Sequence, residues 1–228
     1  NIGNIQNTGF DFNTRYRAGI AGVFNYTVGL NVTTYRNRVI DIQDPGYFDA
    51  GVARNQEGHP VSSFFGYRVL GIFNNDEEVA SSPVQQAAAP GRFRYEDADG
   101  DGTITPNDRV HLGSPNPDFT YGISLLLEYK HFDFSAYLYG SKGNQIYNDV
   151  RRGIDFVGFY PQWNKSNRLL NAWTPDNQNT TIPKIESAES FSTSGVYNSY
   201  FIEDGSFLKL RTLTLGYTLN TQPGRSKV

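Results

Sequence analysis

The sequence predicts an all-β fold, part of an antiparallel transmembrane β-barrel with long extracellular loops. Three observations predict it. Apolar and polar residues alternate with period two over several segments of about 11 residues, the length of a tilted membrane strand. In the clearest segment the apolar face is graded, aromatic at both ends and aliphatic between, as a bilayer-crossing strand requires. The connections are unequal, two tight turns against two very long excursions. Composition agrees: 15 Tyr, 16 Phe and 23 Gly among 228 residues favour strands over helices.

The first strand holds Phe10, Phe12, Thr14 and Tyr16. A short turn near Arg15 to Gly19 is expected to follow. The next strand then carries Ile20, Gly22, Phe24, Tyr26, Val28, Leu30 and Val32 on one face, against Asn25, Thr27, Gly29, Asn31 and Thr33. An excursion from about 36 to 117 comes next, with an extended element of its own in "FFGYRVLGIF" at 64–73. "FTYGISLLLEYK" places Phe119, Tyr121, Ile123, Leu125, Leu127 and Tyr129 on one face, and Thr120, Gly122, Ser124, Leu126, Glu128 and Lys130 on the other. A tight turn in "KHFD" returns the chain through Phe132, Phe134, Ala136 and Leu138, opposite Asp133, Ser135, Tyr137 and Tyr139. A second excursion runs from about 142 to 205. The last strand sets Leu213, Leu215, Tyr217 and Leu219 against Thr212, Thr214, Gly216 and Thr218.

Lys209 and Arg211 share the apolar parity of that last strand. A basic side chain facing lipid at the midplane costs about 2–4 kcal/mol. Either both lie at the headgroups or a bulge switches the parity, and the sequence leaves the two open. Residues 1–228 thus read as one stretch of barrel wall with two excursions. Outer-membrane barrels keep turns short on the periplasmic side and loops long outside, so both excursions are extracellular.

Other classes are excluded or disfavoured. The net charge of −3, with signs interspersed, is not the basic field of a nucleic-acid binder. There is no cysteine, hence no disulfide and no thiolate metal site. No apolar run approaches the roughly 20 residues of a membrane helix, and no signal peptide opens the chain. Methionine is absent, so the sequence reads as an internal or processed piece of a longer chain.

Residues 97–108, "DADGDGTITPND", have the spacing of a calcium loop. Asp97, Asp99 and Asp101 stand at positions 1, 3 and 5, Gly102 at the sharp turn, Thr103 where a backbone carbonyl serves as ligand, and Asp108 at 12. Ile104 is placed to anchor the loop to a core. Asp108 replaces the usual bidentate Glu, and its shorter arm implies a tighter or a differently closed loop in which water can serve as a ligand. Three carboxylates within about 4 Å repel by roughly 4 kcal/mol per pair at an effective dielectric near 20, so a cation is expected. The alternative is a solvated acidic turn. At most one helical turn is expected after Pro106. No catalytic constellation stands out, and the chain reads as a non-enzyme.

These residues resemble a known family. "GRFRYEDADGDGTITPNDRVHLGSPNPDFTYGISLLLEYKHFDFSAYLYGSKGNQIYN" at 91–148 closely resembles the SusC/RagA family of TonB-dependent outer-membrane transporters. So do "NIGNIQNTGFDF" at 1–12, "EGHPVSSFFGYRVLGIF" at 57–73 and "YFIEDGSFLKLRTLTLGYTL" at 200–219. The resemblance implies a large barrel of about 22 strands, with a plug domain and further strands outside this segment. It also implies a bacterial outer-membrane location and import of glycans or peptides. A SusD-like surface lipoprotein would serve as lid, and the TonB complex would act through an N-terminal region of the parent chain.

A soluble extracellular β-sandwich with a structural calcium loop is the competing reading. It explains the alternation and the Asp spacing but neither the aromatic gradient nor the loop asymmetry. His59, His111 and His131 lie far apart in sequence and suggest no metal site. Tyr160, Trp163 and Trp173 either stack on sugar rings or, the stronger expectation, pack their own loop. Arg151 and Arg152 either pair with acidic groups or are solvated.

Overall fold

A computed structural model describes residues 3–21 and 23–219. Gly22, assigned above to an apolar face, lies outside them. In chain order the elements are β1 (Gly3–Ile20), β2 (Phe24–Ile42), β3 (Tyr47–Ala50), β4 (Ala53–Gln56), β5 (Ser63–Gly66), β6 (Val69–Ile72), α1 (Asp76–Ser81), β7 (Phe93–Tyr95) and β8 (Val110–Gly113). There follow β9 (Phe119–Tyr129), β10 (Phe132–Lys142), β11 (Gln145–Tyr147), α2 (Asp149–Asp155), β12 (Ile202–Asp204) and β13 (Phe207–Tyr217). They form two compact units. One, the wall, comprises Asn7–Arg36, Pro117–Asn144 and the residues from Gly205 on. The other, the loop unit, comprises Asn37–Asn116 and Gln145–Asp204 with the start of β1.

The wall is a single antiparallel sheet in the order β1-β2-β9-β10-β13. Cross-strand partners share a face, so the registers sort the side chains into rows. Phe24, Tyr129, Phe132 and Tyr217 form one row at the tight-turn end. Tyr26, Leu127, Phe134 and Leu215 follow, then Val28, Leu125, Ala136 and Leu213, then Leu30, Ile123, Leu138 and Leu210. The gradient seen along one strand is therefore a property of the sheet: an aromatic row, a mixed row holding Tyr26 and Phe134, then two aliphatic rows. Farther along, a side chain at Gly140 would collide with the Tyr121 ring, so this glycine makes room for an aromatic of the opposite girdle.

The hairpin between β9 and β10 turns on Lys130 and His131 alone. Lys130 takes the left-handed conformation, φ 54°, that a two-residue hairpin loop demands. The first tight turn is displaced from the expected position. Residues 15–19 are still strand, and the chain reverses after Ile20, whose carbonyl accepts from the Val23 N–H at 3.0 Å. A Cβ on Gly19 would meet the Phe24 carbonyl, so that glycine serves close strand approach, not a turn. Ile20 accordingly ends β1 and does not begin β2.

The register of β13 resolves the Lys209 problem. Thr212 pairs with Tyr137 and Leu210 with Leu138, leaving Arg211 as the extra residue of a β-bulge. The bulge resets the alternation. Leu210 and Leu208 join the apolar rows, while Lys209 pairs with Tyr139 on the polar face.

The loop unit is built differently. It contains a four-stranded sheet, β3-β4-β5-β8, and the two-stranded pairs β6-β7 and β11-β12. Its core is aromatic: Tyr67, Phe93, Tyr95, Phe156 and Phe201, with Ile104. Two short helices appear that periodicity did not announce, because six or seven residues span too few turns to display an apolar face. Both are fixed by caps, Asn75 accepting from the Glu78 N–H and Asn148 from the Arg151 N–H.

Candidate functional site

The aspartate loop leaves β7 and returns through one 3-10 turn at Pro106–Asp108. Gly100 and Gly102 adopt φ 75° and 85°, conformations that would strain any side chain. Ile104, 7% exposed, is locked into the aromatic core. The loop is also stitched to Val84, which donates to the Gly102 carbonyl and accepts from the Ile104 N–H. Neither bond uses the carbonyl of Thr103, the residue between them.

Carboxylate oxygens of Asp97, Asp99 and Asp108 lie within 4.8 Å of one another. Asp101 does not join that group; its Oδ1 accepts from the Thr103 N–H at 2.7 Å. Asp97 accepts from the N–H groups of Gly100 and Gly102, both at 2.8 Å. Asp108 is fully buried. Its Oδ1 accepts from the Ala98 and Asp99 N–H groups, and its Oδ2 from the Thr105 N–H and hydroxyl. Burial pushes the Asp108 pKa up, but these bonds outweigh it and the carboxyl sits below its usual range. At Asp99 the Asp101 N–H favours the charged form. Desolvation and the three neighbouring carboxylates prevail, and its pKa is raised.

The donor set is hard oxygen throughout, which suits calcium. Asp99 is exposed and Asp97 half-buried, and both match ligand roles better than the buried Asp108. All four lone-pair sites of Asp108 are already engaged, so it acts first as the buried clasp that closes the loop.

The structure brings together residues that the sequence kept apart. His59 and His111 are not remote: their rings stack with centroids 3.6 Å apart. His111 Nε2 lies 3.2 Å from Gln56 Oε1, and its ring meets the edge of Phe65. The Arg54 guanidinium lies between Tyr47 and Phe65, at 4.0 and 3.6 Å from the ring centroids. Burial, followed by His59 and Arg54, depresses the His111 pKa to about 4. This ladder draws on β3, β4, β5 and β8 and the turn at His59, and no local signal marks it.

Trp173 is buried and donates from Nε1 to Asn74. Tyr160 and Trp163 stack on each other, centroids 4.3 Å apart. Arg151 and Arg152 are mostly buried. Arg151 binds Asp155 and Glu203, and Arg152 donates to the Ser194 carbonyl.

No protein-family model matches the chain. TonB-dependent receptor P26 of Formosa agariphila is 32% identical over 228 residues, covering 96% of this chain and 22% of the receptor. TonB-dependent receptor SusC of Bacteroides thetaiotaomicron is 27% identical, covering 96% and 21%. Nearly the whole chain is thus similar to one stretch of these TonB-dependent receptors. It spans about a fifth of the length of these receptors. A chain of the RagAB peptide transporter matches with a TM-score of 0.74 at 24% identity, covering 95% of this chain and 23% of that one. The open-open state of the RagAB peptide importer gives 0.72 at 23% identity. These likenesses carry the fold, and the TonB-dependent receptors and transporters that match are not enzymes.

Proposed function

We propose that the full-length protein is a nutrient importer of the bacterial outer membrane, and that this segment supplies a strip of its barrel wall and two of its outward loops. The observation that carries the reading is the row structure of the sheet. Four strands place Phe24, Tyr129, Phe132 and Tyr217 at one level, Tyr26 and Phe134 with two leucines at the next, and aliphatic residues on the two beyond. Such an ordered apolar face suits lipid, because the inner strands β2, β9 and β10 are each hydrogen-bonded to a neighbour on both sides. The opposite face presents Asn25, Glu128 and Asp133, then Asn31, Tyr139 and Lys209, as a water-filled lumen wants.

The kinship with SusC and the RagAB transporter supports energisation through TonB and a SusD-like lipoprotein partner on the outer side. The cargo is a glycan or a peptide, and the loop unit, with its aspartate loop, is extracellular in this reading. The test is biochemical. The full-length protein should leave the membrane fraction only in detergent and run as a heat-modifiable band. Recovery from the soluble fraction would reject the wall.

A calcium ion completes the proposal as a brace, not a reactant. Asp97 and Asp99 would hold it, with Asp108 beside it, and the Thr103 carbonyl and Asp101 would have to turn in to complete the ligand set. Bound calcium neutralises carboxylates whose mutual repulsion otherwise favours opening the loop. Asp99→Asn combined with Asp101→Asn should lower calcium affinity at least tenfold by calorimetry and speed exchange at 97–108. Unchanged binding would reject the ion.

A further inference from the structure

Arg109, immediately after the aspartate loop, forms no salt bridge among the described residues, although its charge reaches the Asp49 carboxylate across a cavity that both line. Its neighbour Asp108 directs both oxygens into its own loop. Asp49 faces the same region, but both its oxygens are taken by Arg54, at 2.6 and 2.9 Å. Arg152 is occupied by the Ser194 carbonyl and lies 4.0 Å from Glu189. The one bond of the Arg109 side chain runs from Nε to the Pro106 carbonyl at 3.1 Å. That bond orients the guanidinium and leaves its two terminal nitrogens unengaged.

The position of this cation is specific. Two cavities of the loop unit, about 420 and 530 Å3, share Phe65, Pro106 and Arg109 in their linings. Both volumes fall in the range of small-ligand sites. Arg109 thus stands on the ridge between them, 5.4 Å from the Phe65 ring centroid. The first cavity adds Tyr67 and Tyr197, and the second adds His59 and Asn107.

We propose that Arg109 is the recognition residue of a subsite for an organic carboxylate. The two terminal nitrogens present parallel N–H donors at the spacing of carboxylate oxygens, a geometry that lysine cannot reproduce. The aromatic walls take the apolar or ring portion of the ligand. The same chemistry is offered by a peptide with a free C-terminus and by a uronic acid. The subsite is a matter of binding and stands apart from whether the protein imports what binds there.

The test uses the purified full-length protein and calorimetric Kd values for two matched pairs. One is a hexapeptide acid and its C-terminal amide; the other is a tetragalacturonate and its methyl ester. At least one acid should bind about tenfold more tightly than its neutral counterpart, as loss of a charge-assisted bond predicts. Whichever pair responds names the source of the carboxylate. Arg109→Gln should abolish the preference and Arg109→Lys should reduce it severalfold, each with an unchanged melting temperature. Equal affinity within both pairs, binding of neither acid, or a preference that survives Arg109→Gln overturns the proposal. If the glutamine variant fails to fold, an undiminished preference in Arg109→Lys overturns it equally.

Discussion

The wall and the loop unit are made from one chain but solve different problems. In the wall, Leu213, Leu215 and Tyr217 are more than half exposed in this segment, and regularity comes from strand registers. In the loop unit, side chains are specified by particular partners. Asn198, fully buried, donates to the Tyr95 hydroxyl and to the carbonyls of Thr193 and Val196. Gln85 bridges Phe93, Ser192 and Tyr95. One region is governed by period and solvent, the other by long-range pairing. Damage to the two should therefore spread differently.

The largest effect is expected at Phe201, which is fully buried and touches the rings of Tyr147, Phe156 and Tyr200. Phe201→Ala should destabilise the loop unit by about 3–5 kcal/mol. Hydrogen exchange on the full-length protein would then quicken in β11, β12 and α2 while β9 and β10 keep their protection. Equal loss of protection in β9 and β10 would mean that the two units are not energetically separate.

That contrast also explains what the sequence disclosed. The strands 119–129 and 132–142 were legible because a period of two runs through the hairpin, with Leu126 the aliphatic exception on the polar face. The aspartate loop was legible as spacing, and Ile104 as its anchor. The role of Asp108 was not, because its clasp depends on the N–H groups of Ala98, Asp99 and Thr105 folding around it. The stack of His59 on His111 joins residues 52 positions apart, beyond any local pattern. The first tight turn was misplaced because glycine marks both turns and close strand approach, and Gly19 serves the second.

A smaller effect should follow from acid. His111 has its pKa depressed from 6.5 to about 4, so the folded loop unit favours the neutral ring. As pH falls below about 6.5, the unfolded chain takes up this proton first. The stability contributed by the neutral ring is therefore complete above that pH and declines until about 4, where the folded form protonates too. Arg54, Arg109 and His59 stand nearby as positive or protonatable groups, and Asp49 is already paired. Calorimetric melting should show a downward slope across this window, flattened by His111→Gln. An unaltered slope in the variant would assign the acid sensitivity elsewhere.

The smallest effect is expected in the wall, from deleting Arg211. A deletion inside a membrane strand ordinarily turns every later side chain to the wrong face. Here Arg211 is the extra residue of the bulge, so its removal leaves Thr212 opposite Tyr137 and Leu210 opposite Leu138. The cost should stay below about 1 kcal/mol, the scale of a change that exposes no charge to lipid. Single cysteines read the faces directly, since this segment contains none of its own. Lys209→Cys should react with a water-soluble maleimide and Leu210→Cys should not, both with and without Arg211. Were β13 regular, the deletion would exchange the two reactivities. Identical labelling in both backgrounds requires a bulge that keeps a lysine out of the lipid.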